Sequence, residues 1–70
     1  MAREDEIRSI VEENGEVKDD GALTLDSFAV VNVIEALEDR YGIRVAASEV
    51  TRERFATLAA LTAFVEEKLA

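Results

Sequence analysis

The sequence predicts an all-α fold: a four-helix bundle with a short third helix and a long loop between helices 1 and 2. Three observations predict it. The chain has no proline and is rich in Ala, Leu, Glu and Arg, which lose little on entering a helix. Three stretches carry apolar side chains at the 3–4 spacing of a single helix face. Between them stand Asn14-Gly15, Asp19-Asp20-Gly21 and Gly42, which interrupt helices.

The first helix is predicted from about Arg3 to Glu13, with Ile7, Ile10, Val11 and Asn14 on one face and Asn14-Gly15 as its stop. Residues 15–25 show no sustained period and read as a loop, pinned to the core by Val17, Leu23 and Leu25. Loops of this length without secondary structure are uncommon and often functional. The second helix begins near Asp26 or Ser27 and reaches Tyr41. On a wheel, Val30, Val33, Ile34, Leu37 and Tyr41 cluster on its inner face. Gly42 suits the left-handed position that ends helices, with Ile43 folding back as an apolar clamp. A third helix of one or two turns is expected between Ala47 and Phe55. Thr57 would cap the last helix, where Leu58, Leu61, Val65 and Leu69 form a stripe flanked by Phe64.

Seventy residues suit a single domain, residues 1–70, near the lower limit for folding alone. Without Cys or His there is no disulfide or zinc staple, no thiolate chemistry and no histidine-based triad. Aliphatic packing must hold the fold. Sixteen acidic residues against eight basic give a net charge of −8. Such a chain repels phosphate backbones and is steered toward basic patches on other proteins, so nucleic acid is not an expected partner. The acidity is uneven: residues 1–20 carry eight acidic and three basic side chains, whereas residues 42–70 balance at four each. Solubility alone explains the sign and not the asymmetry. No run approaches a membrane span, and the N-terminal Met1-Ala2-Arg3-Glu4-Asp5-Glu6 has no apolar leader. A cytoplasmic, monomeric protein is expected.

One point in the chain invites chemistry. In Leu25-Asp26-Ser27-Phe28 a hydroxyl sits where an acidic loop gives way to an apolar helix. Taken alone, Asp26-Ser27 reads as a helix N-cap. The wheel adds something a cap does not need. Phe28 and Val31 fall on the outer face with Asn32, Glu35 and Asp39, and Glu38 lies at its border. An aromatic and a valine among carboxylates, just beyond an exposed hydroxyl, make a docking surface. A helix N-terminus also favours a phosphodiester, through its free amides and dipole.

Leu25-Asp26-Ser27-Phe28 resembles the Asp-Ser-Leu attachment motif of acyl and peptidyl carrier proteins, with Phe in place of Leu. The resemblance continues through Leu37-Glu38-Asp39-Arg40-Tyr41-Gly42-Ile43-Arg44-Val45. It resumes at Phe55-Ala56-Thr57-Leu58-Ala59-Ala60-Leu61 and Phe64-Val65, so it covers nearly the whole chain. It implies an acyl-carrier-protein-like bundle that works as a stand-alone carrier. Ser27 would hold a 4′-phosphopantetheine arm derived from coenzyme A, with Asp26 as its motif neighbour. The arm's thiol would hold acyl groups as thioesters, and the protein would be no enzyme, only a tether that raises their effective concentration. Partners implied are a phosphopantetheinyl transferase, acyl- or aminoacyl-activating and loading enzymes, and downstream acyl-transfer or condensing enzymes. Phe28, Val31, Glu35, Glu38 and Asp39 would dock them. Some cargo is expected to tuck between the second helix and the short third one, where Ala46, Ala47 and Ala56 leave room. Short or polar acyl groups are expected to stay in solvent, and only aliphatic ones to enter.

The chain departs from fatty-acid-synthesis carriers, which have acidic residues two and five positions after the serine. Here those positions are Ala29 and Asn32. The pattern resembles carriers of specialised metabolism, polyketide or nonribosomal peptide, or else D-alanyl and other aminoacyl carriers. Two readings from other classes stand beside it. An EF-hand register with Gly21 at position six puts Lys18 inside the cage and Ser27 in place of the bidentate glutamate, which leaves too little charge for calcium. No metal site is expected. The other is a small helical interaction module with Ser27 only a helix cap. Glu38-Asp39 lie side by side on a solvated face, where nothing would separate their pKa values as an acid–base pair requires.

Overall fold

A computed structural model describes residues 3–70; Met1 and Ala2, part of the stretch read for a leader, lie outside the described residues. Helix α1 runs Arg3–Asn14 and carries Glu4, Asp5 and Glu6 in its first turn, where acidic charge suits the positive end of the helix dipole. Ile7 and Val11 are fully buried and Ile10 half-buried, as the period predicts. Asn14 ends the helix by donating from Nδ2 to the carbonyl of Ile10 at 2.9 Å. A Cβ on Gly15 would overlap the Thr24 carbonyl oxygen and the Leu25 side chain. The turn therefore needs glycine for close approach.

The long loop is more ordered than its sequence suggests. Strand β1 (Glu16–Val17) pairs antiparallel with β2 (Leu23–Thr24), with Glu16 opposite Thr24 and Val17 opposite Leu23. Gly21, at φ 89°, makes the bend between them. Two backbone bonds then staple the loop to the start of the last helix. Leu23 N–H donates to Ala56 at 2.9 Å, and Leu58 N–H donates to Gly21 at 2.8 Å. Two-residue strands leave no period in a sequence, which is why this ribbon was not expected.

Helix α2 spans Ser27–Tyr41 and helix α3 spans Leu58–Leu69. Gly42 ends α2 in the left-handed conformation at φ 67°, its N–H donating to Glu38, and Thr57 caps α3 by accepting from Ala60 N–H. Helix α1 packs against both α2 and α3, while α2 and α3 approach each other less closely. The core consists of Ile7 and Val11 from α1, Val33 and Leu37 from α2, and Leu58, Leu61, Phe64 and Val65 from α3, closed by Ile43 and Phe55.

Three expectations are corrected. Among the described residues there are three α-helices, not four. The expected third helix is a single 3₁₀ turn, Ala47–Glu49, followed by a non-helical turn through residues 52–55. Its sequence is almost entirely polar between Val50 and Phe55, so no amphipathic face repays the cost of nucleating a longer helix. Side chains hold the turn instead. Glu49 accepts from Ala46 N–H at 2.9 Å and from Lys68 Nζ of α3 at 2.9 Å, and Arg54 donates to the Glu49 carbonyl while stacking over Phe64. Second, the buried stripe of α2 is Ala29, Val33 and Leu37, with Val30, Ile34 and Tyr41 only partly buried on its flank. A hydrophobicity-weighted wheel favours large side chains, whereas packed helices approach where a small one sits. Third, Leu69 is exposed at the last position of α3.

A polar contact joins α1 to the end of α2. The Tyr41 hydroxyl donates to Glu6 Oε1 at 2.7 Å, and Arg40 reaches Glu6 Oε2 at 2.9 Å. Both hold the Glu6 carboxyl below its usual range, Tyr41 more than Arg40. Burial, and then the bond to Glu6, push the Tyr41 hydroxyl up to about 12.

Two predictions follow from the packing. Leu37→Ala should lower unfolding free energy by about 2–5 kcal/mol in urea titrations, much of the stability a domain this small can have. Tyr41 is the sole tyrosine, so the phenolate absorbance of the protein reports it alone. It should ionise well above ~10, the value for an unfolded tyrosine, and Glu6→Gln should move it downward. Because the folded value is raised, the stability it contributes is complete below pH ~10 and lost as pH climbs through the folded value.

Candidate functional site at the mouth of the second helix

The N-terminus of α2 is capped by Asp26. Its Oδ1 accepts from Ala29 N–H at 2.7 Å, and its carbonyl accepts from Val30 N–H at 2.9 Å. Ser27 is the first helical residue, not the cap. Its side chain is exposed, and its hydroxyl has no hydrogen-bond partner among the described residues. The reading of Ser27 as only a helix cap therefore fails. The amides of Ser27 and Phe28 likewise have no protein acceptor among the described residues, as expected for a first helical turn.

The outer face emerges as the wheel places it except at Asn32, which is half-buried. Phe28 is 78% exposed and Val31 50%, and Glu35 and Asp39 are exposed one and two turns farther on. Glu38 differs. It is half-buried, and its Oε2 accepts from Val45 N–H at 2.8 Å, which ties the chain leaving α2 back onto the helix. A carboxylate spaced seven residues before an unpaired loop amide carries no sequence signal for this role.

Hollows flank α2 on several sides, one of them open and polar around Glu35, Glu38 and Arg44, and two others bear on the site. One, of about 490 Å³, lies against α1 and is lined among others by Asp5, Glu6, Glu13, Asp39 and Arg40, with no residue within a turn of Ser27. The other, of about 370 Å³, lies beside the helix mouth. Leu23, Leu25 and Val30 form one wall, and Val50, Phe55 and Ala56 the other. Val30 is three residues beyond Ser27, so the two lie on the same side of α2. Ala56 lines this cleft as the sequence suggests. Ala46 and Ala47 are exposed and do not line it.

Residues 6–65 match the family described as phosphopantetheine attachment site. The chain belongs to that family. It is a carrier protein, and 4′-phosphopantetheine is its covalently bound group. Compared with the curated proteins and with the solved structures, the chain has no significant match. Carriers of this kind are typically non-catalytic and work with phosphopantetheinyl transferases and acyl-handling enzymes. No helix among the described residues is long and apolar enough to cross a membrane, and no three potential metal ligands there form a group.

Proposed function

We propose that Ser27 is the residue that carries the 4′-phosphopantetheine arm, in a single carrier domain spanning residues 1–70. The observation that carries this reading is the division of labour at the helix mouth. Asp26 takes the capping bond, so the neighbouring hydroxyl is exposed and unpartnered. The residues present fit a phosphodiester: two amides without acceptors lie at the positive end of a fifteen-residue helix. Once attached, the arm supplies a thiol that holds an acyl group as an electrophilic thioester. The protein's own contribution is to position and present it, and no side chain at the mouth is poised as an acid or base. It is a tether rather than an enzyme.

The cargo belongs to specialised metabolism, polyketide or nonribosomal peptide, rather than to housekeeping fatty-acid synthesis. Ala29 and Asn32 in place of acidic residues support this. Neither Ala29 nor Asn32 carries a charge, so the acidic side chains of α2 begin two turns beyond the arm, at Glu35, Glu38 and Asp39. A D-alanyl or other aminoacyl carrier is the competing subtype on the same ground. Transferase and loading enzymes dock on Phe28 and Val31 within a rim of Glu35 and Asp39, with Glu38 at the border as a structural pin.

Incubated with coenzyme A and a broad-specificity transferase, the wild-type chain should gain the pantetheine mass and Ser27→Ala should not. A modified Ser27→Ala, at Ser9 or Ser48, would sink the assignment. Glu35→Lys should slow this modification several-fold, more at low salt than at high, with the fold intact, because it reverses a steering charge and touches no core. Rates unchanged across ionic strength would leave Glu35 a solubilising residue only.

A further inference from the structure

The cleft beside the helix mouth carries one charge. Its walls are apolar, and Thr51 and Arg52 complete its lining. Arg52 is exposed and has neither ion pair nor side-chain hydrogen bond among the described residues. Arg3 pairs with Glu66, Arg40 with Glu6 and Lys68 with Glu49, and Arg54 donates to the Glu49 carbonyl. Arg8, Lys18 and Arg44 are without partners like Arg52 among the described residues, but none of them lines this cleft. Thr51 Oγ1 accepts from Arg54 N–H at 3.3 Å, which leaves its own proton free to donate. This is also the half of the chain where charges balance. Residues 42–70 carry four acidic and four basic side chains, against twelve and four in residues 1–41. An anion brought to the cleft meets an unmatched guanidinium and a hydroxyl rather than the acidic field of α1 and α2.

We propose that Arg52 is a specificity-determining residue for the cargo, selecting short dicarboxylic acyl groups. The sequence alone leaves short or polar groups in solvent. Arg52 in the lining changes that expectation, because the methylenes of such a chain occupy the apolar cleft while its terminal carboxylate pairs with Arg52 at the rim. The carboxylate stays in water there, so no charge is buried unpaired. A neutral chain of the same length gains only the apolar walls, and an aminoacyl group brings an ammonium that Arg52 repels. The inference rests on attachment at Ser27. The arm's own phosphodiester is also an anion, and the test separates the two sources.

Apo, pantetheinylated, butyryl-loaded and glutaryl-loaded forms of the ¹⁵N-labelled chain are compared by the Arg52 side-chain Nε–H signal and the Thr51 and Phe55 amides. The Arg52 signal should move on glutaryl loading alone and return as salt is raised. Hydroxylamine should release glutaryl several-fold more slowly than butyryl. Arg52→Gln, folded by its amide spectrum, should equalise the two rates, and Arg52→Lys should keep part of the difference. If Arg52 shifts fully on pantetheinylation and no further with glutaryl, it reads the phosphodiester and the cargo assignment is overturned. It is equally overturned if no form shifts Arg52, or if Arg52→Gln preserves the rate difference. Absence of the arm's mass on Ser27 would instead sink the attachment reading, and this inference with it.

Discussion

The rotation of α2 about its own axis is the constraint on which the helix mouth depends. Ala29, Val33 and Leu37 are buried in one stripe against a core that includes Ile7 and Val11 of α1 and Leu61 and Val65 of α3. At 100° per residue, that stripe obliges Phe28, Val31, Glu35 and Asp39 to face outward. Turning the helix by one residue would expose Val33 and Leu37, at about 1.5–3 kcal/mol each. A domain whose whole stability is about 5–15 kcal/mol does not tolerate that. The exposed phenylalanine is therefore no packing failure. It is the outward side of a helix locked from within.

The same economy governs the first turn of α2. One residue, Asp26, satisfies the Ala29 amide and sits at the positive end of the dipole, which releases Ser27 from any structural duty. The loop that delivers Ser27 is held at its far side by the bonds from Leu23 to Ala56 and from Leu58 to Gly21. Those bonds also supply an acceptor for an otherwise orphaned amide at the start of α3. The cleft lies between the loop and first turn of α2 on one side and residues 50–56 on the other, with no residue of α3 in its lining. Val50, Phe55 and Ala56, held by a turn rather than a fourth helix, form its outer wall, with Thr51 and Arg52 as the polar part of the lining.

Much of this was legible in the residues. The apolar periods place α1, α2 and α3 to within about a residue, since each pattern is sustained over three turns, and Gly42 and Thr57 mark their ends through local backbone chemistry. What was not legible has physical causes. The turn at Ala47–Glu49 depends on Glu49 reaching Lys68, nineteen residues away, which no local pattern encodes. The 16–17/23–24 ribbon is too short for a period. Ala29 is buried because it is small, and Glu38 is occupied by a loop amide that only the folded chain brings near. At the site, the motif identifies Ser27 and the wheel its exposed neighbours. Arg52 emerges only once folding sets it beside Leu25 and Val30.

The central claim is that one hydroxyl at the mouth of α2 bears the arm. Protein isolated from its native host and cut by trypsin tests it most directly, because the fragment from Asp19 to Arg40 contains a single serine, Ser27. The account predicts that this fragment carries the pantetheine phosphodiester, with or without an acyl group, and that fragmentation places it on Ser27. A native protein whose Asp19–Arg40 fragment is unmodified while another fragment bears the arm would contradict it.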